Sequence, residues 1–212
     1  MNDMDPLAVA RQPTQRRSKD RFEQVLRVAE QLLVEQGLSG FSIPVLAERL
    51  GHTRGSVYAY FPTHYAVLNE LALRYLRDLE ALFIARAAEV AKLDWRESVE
   101  TIVDLAVGFH NSHPAARLLI LGGAVTDDSY RAQELTVQRL GELGRAVWAQ
   151  KGLDLPKAPD VATLAVDLGT ACFRRSFFEH GSITRAYRNA AAAAMSAFLE
   201  PYVRRTSGRT QS

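Results

Sequence analysis

Residues 42–64 contain the pattern that most limits the folds open to this chain, because two short helical segments flank a tight turn. Ser42 can cap the first segment with its hydroxyl group. Gly51 can adopt the left-handed conformation that ends a helix, and Thr53 can then cap a second helix that begins at Arg54. These signals predict a helix-turn-helix, a motif that places its second helix in the major groove of DNA.

The side chains of the second helix are suited to DNA. Arg54 can pair with a guanine edge, Ser56 can donate or accept a hydrogen bond, and Gly55 permits close approach. We expect Arg54 and Ser56 to contact bases, and the hydroxyl groups around them to hold phosphates. An ordinary surface helix can carry the same residue types, so the composition alone leaves both interpretations open.

The sequence GHTRGSVYAYFPTHYAVL at residues 51–68 resembles the signature of the tetracycline-repressor (TetR) family of bacterial transcription regulators. The resemblance covers about residues 18–70, and its most specific part is YAYF at 58–61. The family usually has an apolar residue in place of His52, and Lys followed by an acidic residue in place of His64 and Tyr65. That Lys typically touches a phosphate, so the resemblance makes His64 a candidate for this contact. The predicted DNA-binding residues are Ser42, Thr53, Arg54, Gly55, Ser56, Tyr58, Tyr60 and His64.

Length and composition indicate a chain of one or two domains that binds nucleic acid only locally. Domains average roughly 150 residues, and this chain has 212. It is 47% hydrophobic and has a net charge of only +2, which excludes a histone-like polycation. The single cysteine, Cys172, cannot form an intramolecular disulfide and favours a reducing cytoplasm. The sequence shows neither an apolar run long enough for a membrane span nor a signal peptide, so we expect a cytoplasmic protein.

The pattern along the chain predicts an all-α fold with four parts. Residues 1–17 are expected to form a flexible basic arm, which either contacts DNA phosphates or is a solvated tail. Residues 18–64 are expected to form a three-helix helix-turn-helix domain, and residues 65–203 a helical effector-binding and dimerisation domain. Residues 204–212 are expected to form a disordered tail.

A long fourth helix is predicted after the cap at Thr63, because no Gly or Pro interrupts the sequence to about Ala91. At 1.5 Å per residue, about 28 residues give a helix about 42 Å long. In the TetR family this helix connects the ligand site to the DNA site, and the resemblance implies the same role here. The rest of the chain shows helical spacing and no strand-like alternation.

The last two predicted helices, residues 160–180 and 182–203, carry apolar and small residues at helical spacing. Such faces can belong to the core of one chain. The resemblance implies instead that both helices of two chains form a four-helix bundle, which makes the protein a homodimer. The predicted interface residues are Leu164, Leu168, Cys172, Tyr187, Ala191, Ala194 and Phe198.

A predicted ligand site combines the distal part of the fourth helix with the helices that follow it. Its lining is mostly apolar with few polar groups, as in most ligand sites. We therefore expect an aromatic or acyl-like effector, oriented by His110, Asn111 or Arg117, although the same residues could also be core. The predicted lining residues are Tyr75, Leu79, Phe83, Ile102, Ala106, Phe109, His110, Asn111, Arg117, Leu118, Leu121, Trp148 and Phe173.

Enzyme and metal functions find little support in the sequence. His110 and His113 lie three residues apart, but a predicted helix break separates them and no further ligands complete a metal set. Ser112 and Ser176 lack a nucleophile-elbow context. We expect no metal, no cofactor and no catalysis.

The sequence as a whole predicts a homodimeric repressor that binds a palindromic operator in double-stranded DNA and is released by a small apolar or aromatic effector. One alternative is a DNA-binding regulator or architectural protein without a small-molecule ligand. An enzyme on a helical fold is a second alternative.

Overall fold

A computed structural model describes the backbone of residues 7–209 and the side chains of residues 7–203. Every regular element in this part of the chain is a helix, which confirms the predicted all-α fold. None of these helices is long and apolar enough to cross a membrane. The helices are α1 Arg16–Gln36, α2 Ile43–Leu50, α3 Arg54–Tyr58, α4 His64–Val90, α5 Trp95–Ser112, α6 Pro114–Ala116, α7 Asp127–Ala149, α8 Val161–His180 and α9 Arg185–Arg209, with a π-helical turn Arg117–Leu121 after α6.

The helix-turn-helix forms where the sequence predicts it, because its end signals are local. The Ser42 hydroxyl group accepts a hydrogen bond from the Val45 backbone N–H at 3.4 Å. Gly51 has a φ of 64° and ends α2 in the left-handed conformation. The Thr53 hydroxyl group accepts from the Ser56 N–H at 3.3 Å and caps α3. α2 therefore begins and ends at the predicted residues, and α3 begins at the predicted residue.

The chain divides into two compact units, and the first contains the helix-turn-helix. It comprises the residues up to Leu76 together with Pro114–Gln133. Phe22 of α1 and Phe61 stack in its core with ring centroids 4.7 Å apart, and both side chains are fully buried. The boundary predicted after residue 64 differs from this division, since α6 packs against α1 and brings residues 114–133 into the first unit.

Residues 7–11 are held by hydrogen bonds within the first unit. Thr63 donates to the Leu7 carbonyl at 2.6 Å, and the buried Asn69 amide donates to the Ala8 carbonyl at 3.0 Å. The Arg11 backbone N–H donates to the Tyr60 carbonyl at 2.7 Å. The flexible arm expected over residues 1–17 is thus corrected for this segment, and α1 already includes residues 16–17. Residues 1–6 lie outside the described part of the chain.

The second unit comprises Arg77–His113 and the residues from Glu134 onward. The Arg188 guanidinium joins α9 to α5, since it donates to both Asp104 carboxylate oxygens at 2.7 Å and also pairs with Glu100. These carboxylates raise the pKa of Arg188 above its ordinary value. α5 itself begins with a capping box, in which Asp94 and Glu97 satisfy each other's backbone N–H groups.

The last helix extends further than the sequence predicts. α9 continues to Arg209, so residues 204–209 are helical where a disordered tail was expected over 204–212. Pro201 lies inside this helix without ending it. Residues 210–212 lie outside the described part of the chain.

Two glycines of α7 lie three residues apart in very different surroundings. A Cβ atom added at Gly141 would lie 2.7 Å from Thr163 Cα and 2.8 Å from Thr163 N, so that α7 and α8 could not keep their separation. A Cβ atom added at Gly144 would lie 3.7 Å from the nearest atom of Trp148, which is an ordinary contact. Only Gly141 is therefore required by the packing.

We expect Gly141→Ala and Gly144→Ala to shift the stability of the chain in opposite directions. Either change gains about 1 kcal/mol of helix propensity, since alanine favours a helix over glycine. Overpacking at Gly141 costs about 1–3 kcal/mol and more when backbone atoms must move, so Gly141→Ala should lower the free energy of unfolding. Gly144→Ala should raise the unfolding temperature by about 2–4 °C. Urea and thermal unfolding of both variants measure the free energy of unfolding and the unfolding temperature. Equal changes in the two variants would contradict the close approach at Gly141.

Candidate functional site

The predicted recognition helix α3 presents an exposed polar surface. Thr53, Arg54, Gly55 and Tyr58 are exposed, while Val57 is fully buried and anchors the helix to the first unit. Ser56 is half-buried, and its hydroxyl group donates to the Thr53 carbonyl at 2.7 Å. Because that proton is committed, the Ser56 oxygen is left to accept a hydrogen bond, as from the amino group of adenine or cytosine.

Arg54 differs from Arg49 and Arg74 in having no anionic partner among the described side chains. Within the described side chains, no carboxylate forms an ion pair with its guanidinium. Arg49 in α2 pairs with Glu35 at 2.8 Å, and Arg74 in α4 pairs with Glu23 at 2.6 Å. The guanidinium of Arg54 is thus available for a DNA base, whereas those of Arg49 and Arg74 support the fold.

The other predicted DNA-binding residues surround α3. Tyr60 is half-buried, and its ring meets Phe22 edge-on with centroids 6.0 Å apart. His64 is the first residue of α4, and its ring lies 3.9 Å from that of Tyr65. Backbone N–H groups at a helix N-terminus favour an anion, so His64 is placed where a phosphate could bind. Ser42 is half-buried and serves the cap of α2.

His52, which replaces an apolar residue of the TetR signature, lies in the turn between α2 and α3. Its backbone N–H donates to the Ala47 carbonyl at 3.0 Å. The ring Nε2 atom is buried and has no hydrogen-bond partner among the described residues. The half-buried imidazole ring therefore keeps its Nε2 atom away from solvent.

An apolar cavity lies within the second unit. It holds about 90 Å³ in which the centre of a water-sized sphere fits, several times the roughly 10–15 Å³ that one water molecule needs. Seven of the predicted ligand-binding residues line it, namely Leu79, Phe83, Ile102, Ala106, His110, Trp148 and Phe173.

Six other predicted ligand-binding residues do not line this cavity. Phe109 precedes the lining residue His110 in the sequence. Its side chain is buried and packs on His113, with ring centroids 4.6 Å apart. The Asn111 amide is bound to the backbone of Ile183, to which it donates at 2.9 Å and from which it accepts at 3.0 Å. Asn111 thus joins α5 to the segment between α8 and α9, and its amide is used by these bonds. The remaining four belong to the first unit: Tyr75, Arg117, Leu118 and Leu121.

The sequence prediction missed most of the cavity wall that α7 and α8 form. The apolar residues of α7 recur three or four positions apart, a signal that was present in the sequence. Those of α8 are small, and small side chains leave room for a cavity. The additional lining residues are Ala87, Val90, Val103, Leu140, Gly141, Leu143, Gly144, Val147, Ala162, Ala165, Val166, Gly169, Thr170 and Met195.

One face of α8 exposes apolar side chains. Leu164 is 40% exposed, Leu168 is 37% exposed and Phe178 is 80% exposed. Cys172 is half-buried on the same helix, and burial raises the pKa of its thiol, which keeps the side chain neutral. The sequence prediction named Leu164, Leu168 and Cys172 but not Phe178.

The predicted face of α9 needs a correction. Ala191 is fully buried within its own chain, so its side chain cannot contact a second copy as expected. Tyr187, Ala194 and Phe198 are half-buried. The exposed small residues of this helix lie one position away and are Ala186, Ala190, Ala193 and Ala197.

The described side chains contain no group of three His, Cys, Asp or Glu residues placed to hold a metal ion. His113, one of the two histidines considered for a metal, is bound through Nδ1 to the Phe109 carbonyl at 2.8 Å.

A helix-turn-helix in an all-α chain is typical of one class of proteins, the helix-turn-helix regulators of transcription. Residues 25–71 match the family described as bacterial regulatory proteins, tetR family. The helix-turn-helix domain of this chain is therefore a tetR-family DNA-binding domain. Among curated proteins, none matches the chain significantly in sequence.

Solved structures with a similar fold extend the likeness beyond that domain. A TetR-family transcriptional regulator from Streptomyces coelicolor is 19% identical, with a TM-score of 0.65, and the match covers 86% of this chain and 99% of that one. A tetR-family regulatory protein from Rhodococcus RHA1 is 17% identical, with a TM-score of 0.59, and the match covers 90% of this chain and 98% of that one. The flavonoid-responsive regulator FrrA is 19% identical, with a TM-score of 0.54, and the match covers 86% of this chain and 96% of that one. The whole chain thus has the fold of tetR-family regulators.

Proposed function

We propose that this chain is a ligand-responsive repressor, which binds a palindromic operator as a homodimer and leaves it when a small apolar or aromatic effector binds. Repression requires only that a tightly bound protein block the polymerase. The observation that carries the proposal is the course of α4. This helix begins six residues after α3, and its other end supplies Leu79, Phe83, Ala87 and Val90 to the apolar cavity.

The exposed surface of α3 supports the DNA-binding part of the proposal. Arg54 and Ser56 read base edges, and Thr53, Tyr58, Tyr60 and His64 hold phosphates that fix the register. The exposed side chains of Arg11, Arg16, Arg17 and Lys19 add positive charge. The Arg11 backbone is bound to Tyr60, which keeps this basic segment next to the helix-turn-helix.

The exposed face of α8 supports the homodimer. A symmetric dimer buries the same patch on both copies, and the exposed Leu164, Leu168 and Phe178 gain from leaving water. The exposed alanines of α9 let a second helix approach closely. An operator with two-fold symmetry then follows from the symmetry of the dimer.

The cavity supports the response to an effector. A ligand shifts a conformational equilibrium only if it binds one state better than the other. If the cavity is wider in the state that leaves DNA, a molecule between α4 and α7 binds that state better and shifts the equilibrium towards it. One protein with a similar fold is a flavonoid-responsive regulator, which is in keeping with an aromatic effector.

Selection of bound sequences from a random pool of double-stranded DNA tests this function. We expect enrichment of two half-sites related by two-fold symmetry, with centres about 34–36 Å apart or a multiple of that spacing. A parallel selection without protein removes sequences that amplification alone enriches. Enriched sequences without internal symmetry would contradict the homodimeric arrangement, and no enrichment at any salt concentration would contradict the DNA-binding function.

A further inference from the structure

The cavity wall within the described residues carries no carboxylate, ammonium or guanidinium group. Its lining is aliphatic and aromatic apart from His110, Thr170 and the indole of Trp148. An ion that leaves water for such surroundings loses its hydration without gaining a partner of opposite charge. The cavity therefore discriminates against charged molecules.

Trp148 lies in the cavity wall and carries a hydrogen-bond donor that no described residue accepts. Its side chain lines the cavity and is 4% exposed, and its Nε1–H is buried with no acceptor among the described residues. A buried donor without an acceptor is destabilising, and native structures leave few of them. Thr170 is different, since its hydroxyl group donates to the Val166 carbonyl at 2.9 Å and keeps only lone pairs.

We propose that the effector is a compact, uncharged molecule with an apolar body and one hydrogen-bond acceptor, which binds the indole N–H of Trp148. This inference rests on the proposed function, because it takes the cavity as the effector site. A carbonyl oxygen on a small aromatic body has the required chemistry. It satisfies the buried donor, and the body contacts the apolar wall of the cavity.

Three probes of nearly equal shape test the inference on the full chain without DNA. Acetophenone has the acceptor, α-methylstyrene replaces the carbonyl oxygen with CH₂, and benzoate adds a negative charge. Calorimetry gives the dissociation constant of each. We expect benzoate to bind at least about tenfold more weakly than acetophenone, since the cavity offers no partner for its charge.

The Trp148→Phe variant removes the N–H group and keeps an aromatic ring. It should weaken the binding of acetophenone about fivefold relative to that of α-methylstyrene. This factor corresponds to the usual net contribution of one hydrogen bond. Trp95→Phe removes the other tryptophan of the chain, which does not line the cavity, and should change neither affinity. Ala106→Leu fills part of the cavity and should weaken both compounds.

Two results with the variants would overturn the inference: Trp148→Phe changes the dissociation constants of acetophenone and α-methylstyrene equally, or Ala106→Leu changes neither. Two results with the unmodified chain would also overturn it: benzoate binds as tightly as acetophenone, or no probe binds. A separate measurement of DNA release distinguishes this failure from failure of the proposed function. Acetophenone binding in the expected pattern without DNA release would uphold the cavity chemistry and contradict the repressor's ligand response. If a charged compound released DNA, and Ala106→Leu did not alter that release, the ligand response would be upheld and the cavity chemistry contradicted.

Discussion

A Leu168→Glu substitution is expected to split the proposed homodimer and to weaken operator binding by more than about a hundredfold. Leu168 lies on the exposed apolar face of α8, between Leu164 and Phe178. In the proposed symmetric interface one substitution buries two carboxylates among apolar side chains. The exposed Arg175 of the same helix already pairs with Glu179, so it does not compensate them. Uncompensated buried charge costs about 3 kcal/mol or more, which is over a hundredfold in the dissociation constant.

Sedimentation velocity at micromolar concentration measures this change, together with operator affinity at one fixed salt concentration. Ile84→Glu is the matched control, since Ile84 is an exposed apolar residue of α4 (57%) outside this face and outside the cavity. We expect Ile84→Glu to remain dimeric. Helix content by circular dichroism should be equal in both variants. A fully dimeric Leu168→Glu protein would move the interface to another surface.

The helix-turn-helix could be predicted from the sequence because its determinants are local. Ser42, Gly51 and Thr53 act within three or four residues of themselves, through caps and a left-handed glycine. No distant contact is needed to place them. The identity of α3 and the exposure of Arg54 follow from the same short segment.

The limits of the domains could not be predicted in this way. Residues 114–133 join the first unit through packing of α6 against α1, nearly a hundred positions away in the chain. The segment at residues 7–11 is held by acceptors and donors at Tyr60, Thr63 and Asn69, about fifty or more positions away in the chain. These bonds involve its backbone, so its side chains, Leu-Ala-Val-Ala-Arg, gave no sign of them. Hydrophobic periodicity reports which face of a helix is buried but not which partner buries it.

The cavity and the dimer face show the same limit in their details. Apolar spacing on α4 and α5 selected Leu79, Phe83, Ile102 and Ala106, yet a packed core residue and a cavity residue have the same pattern. On α9 the run Ala190–Ala194 has no polar residue to mark the outer side. The buried Ala191 and the exposed Ala193 could therefore be told apart only in the folded chain.

Replacement of Arg54 by alanine is expected to weaken operator binding by about 1–3 kcal/mol at each half-site and to relax base preference at one position of each. Both copies of a homodimer lose the contact, so the effects add across the operator. The reason lies in the free guanidinium of Arg54, which can pair with two acceptors of a guanine in the major groove. A contact to phosphate would instead weaken all sequences alike.

Arg49→Ala provides the control for this measurement, because Arg49 is an exposed arginine of the same motif whose guanidinium already pairs with Glu35 at 2.8 Å. We expect its loss to leave base preference unchanged and to alter affinity less than Arg54→Ala does. Competition binding against all four base pairs at each operator position, at constant ionic strength, separates the two variants. If Arg54→Ala kept full affinity and preference, α3 would not be the recognition helix, and the base contacts would have to come from another part of the first unit.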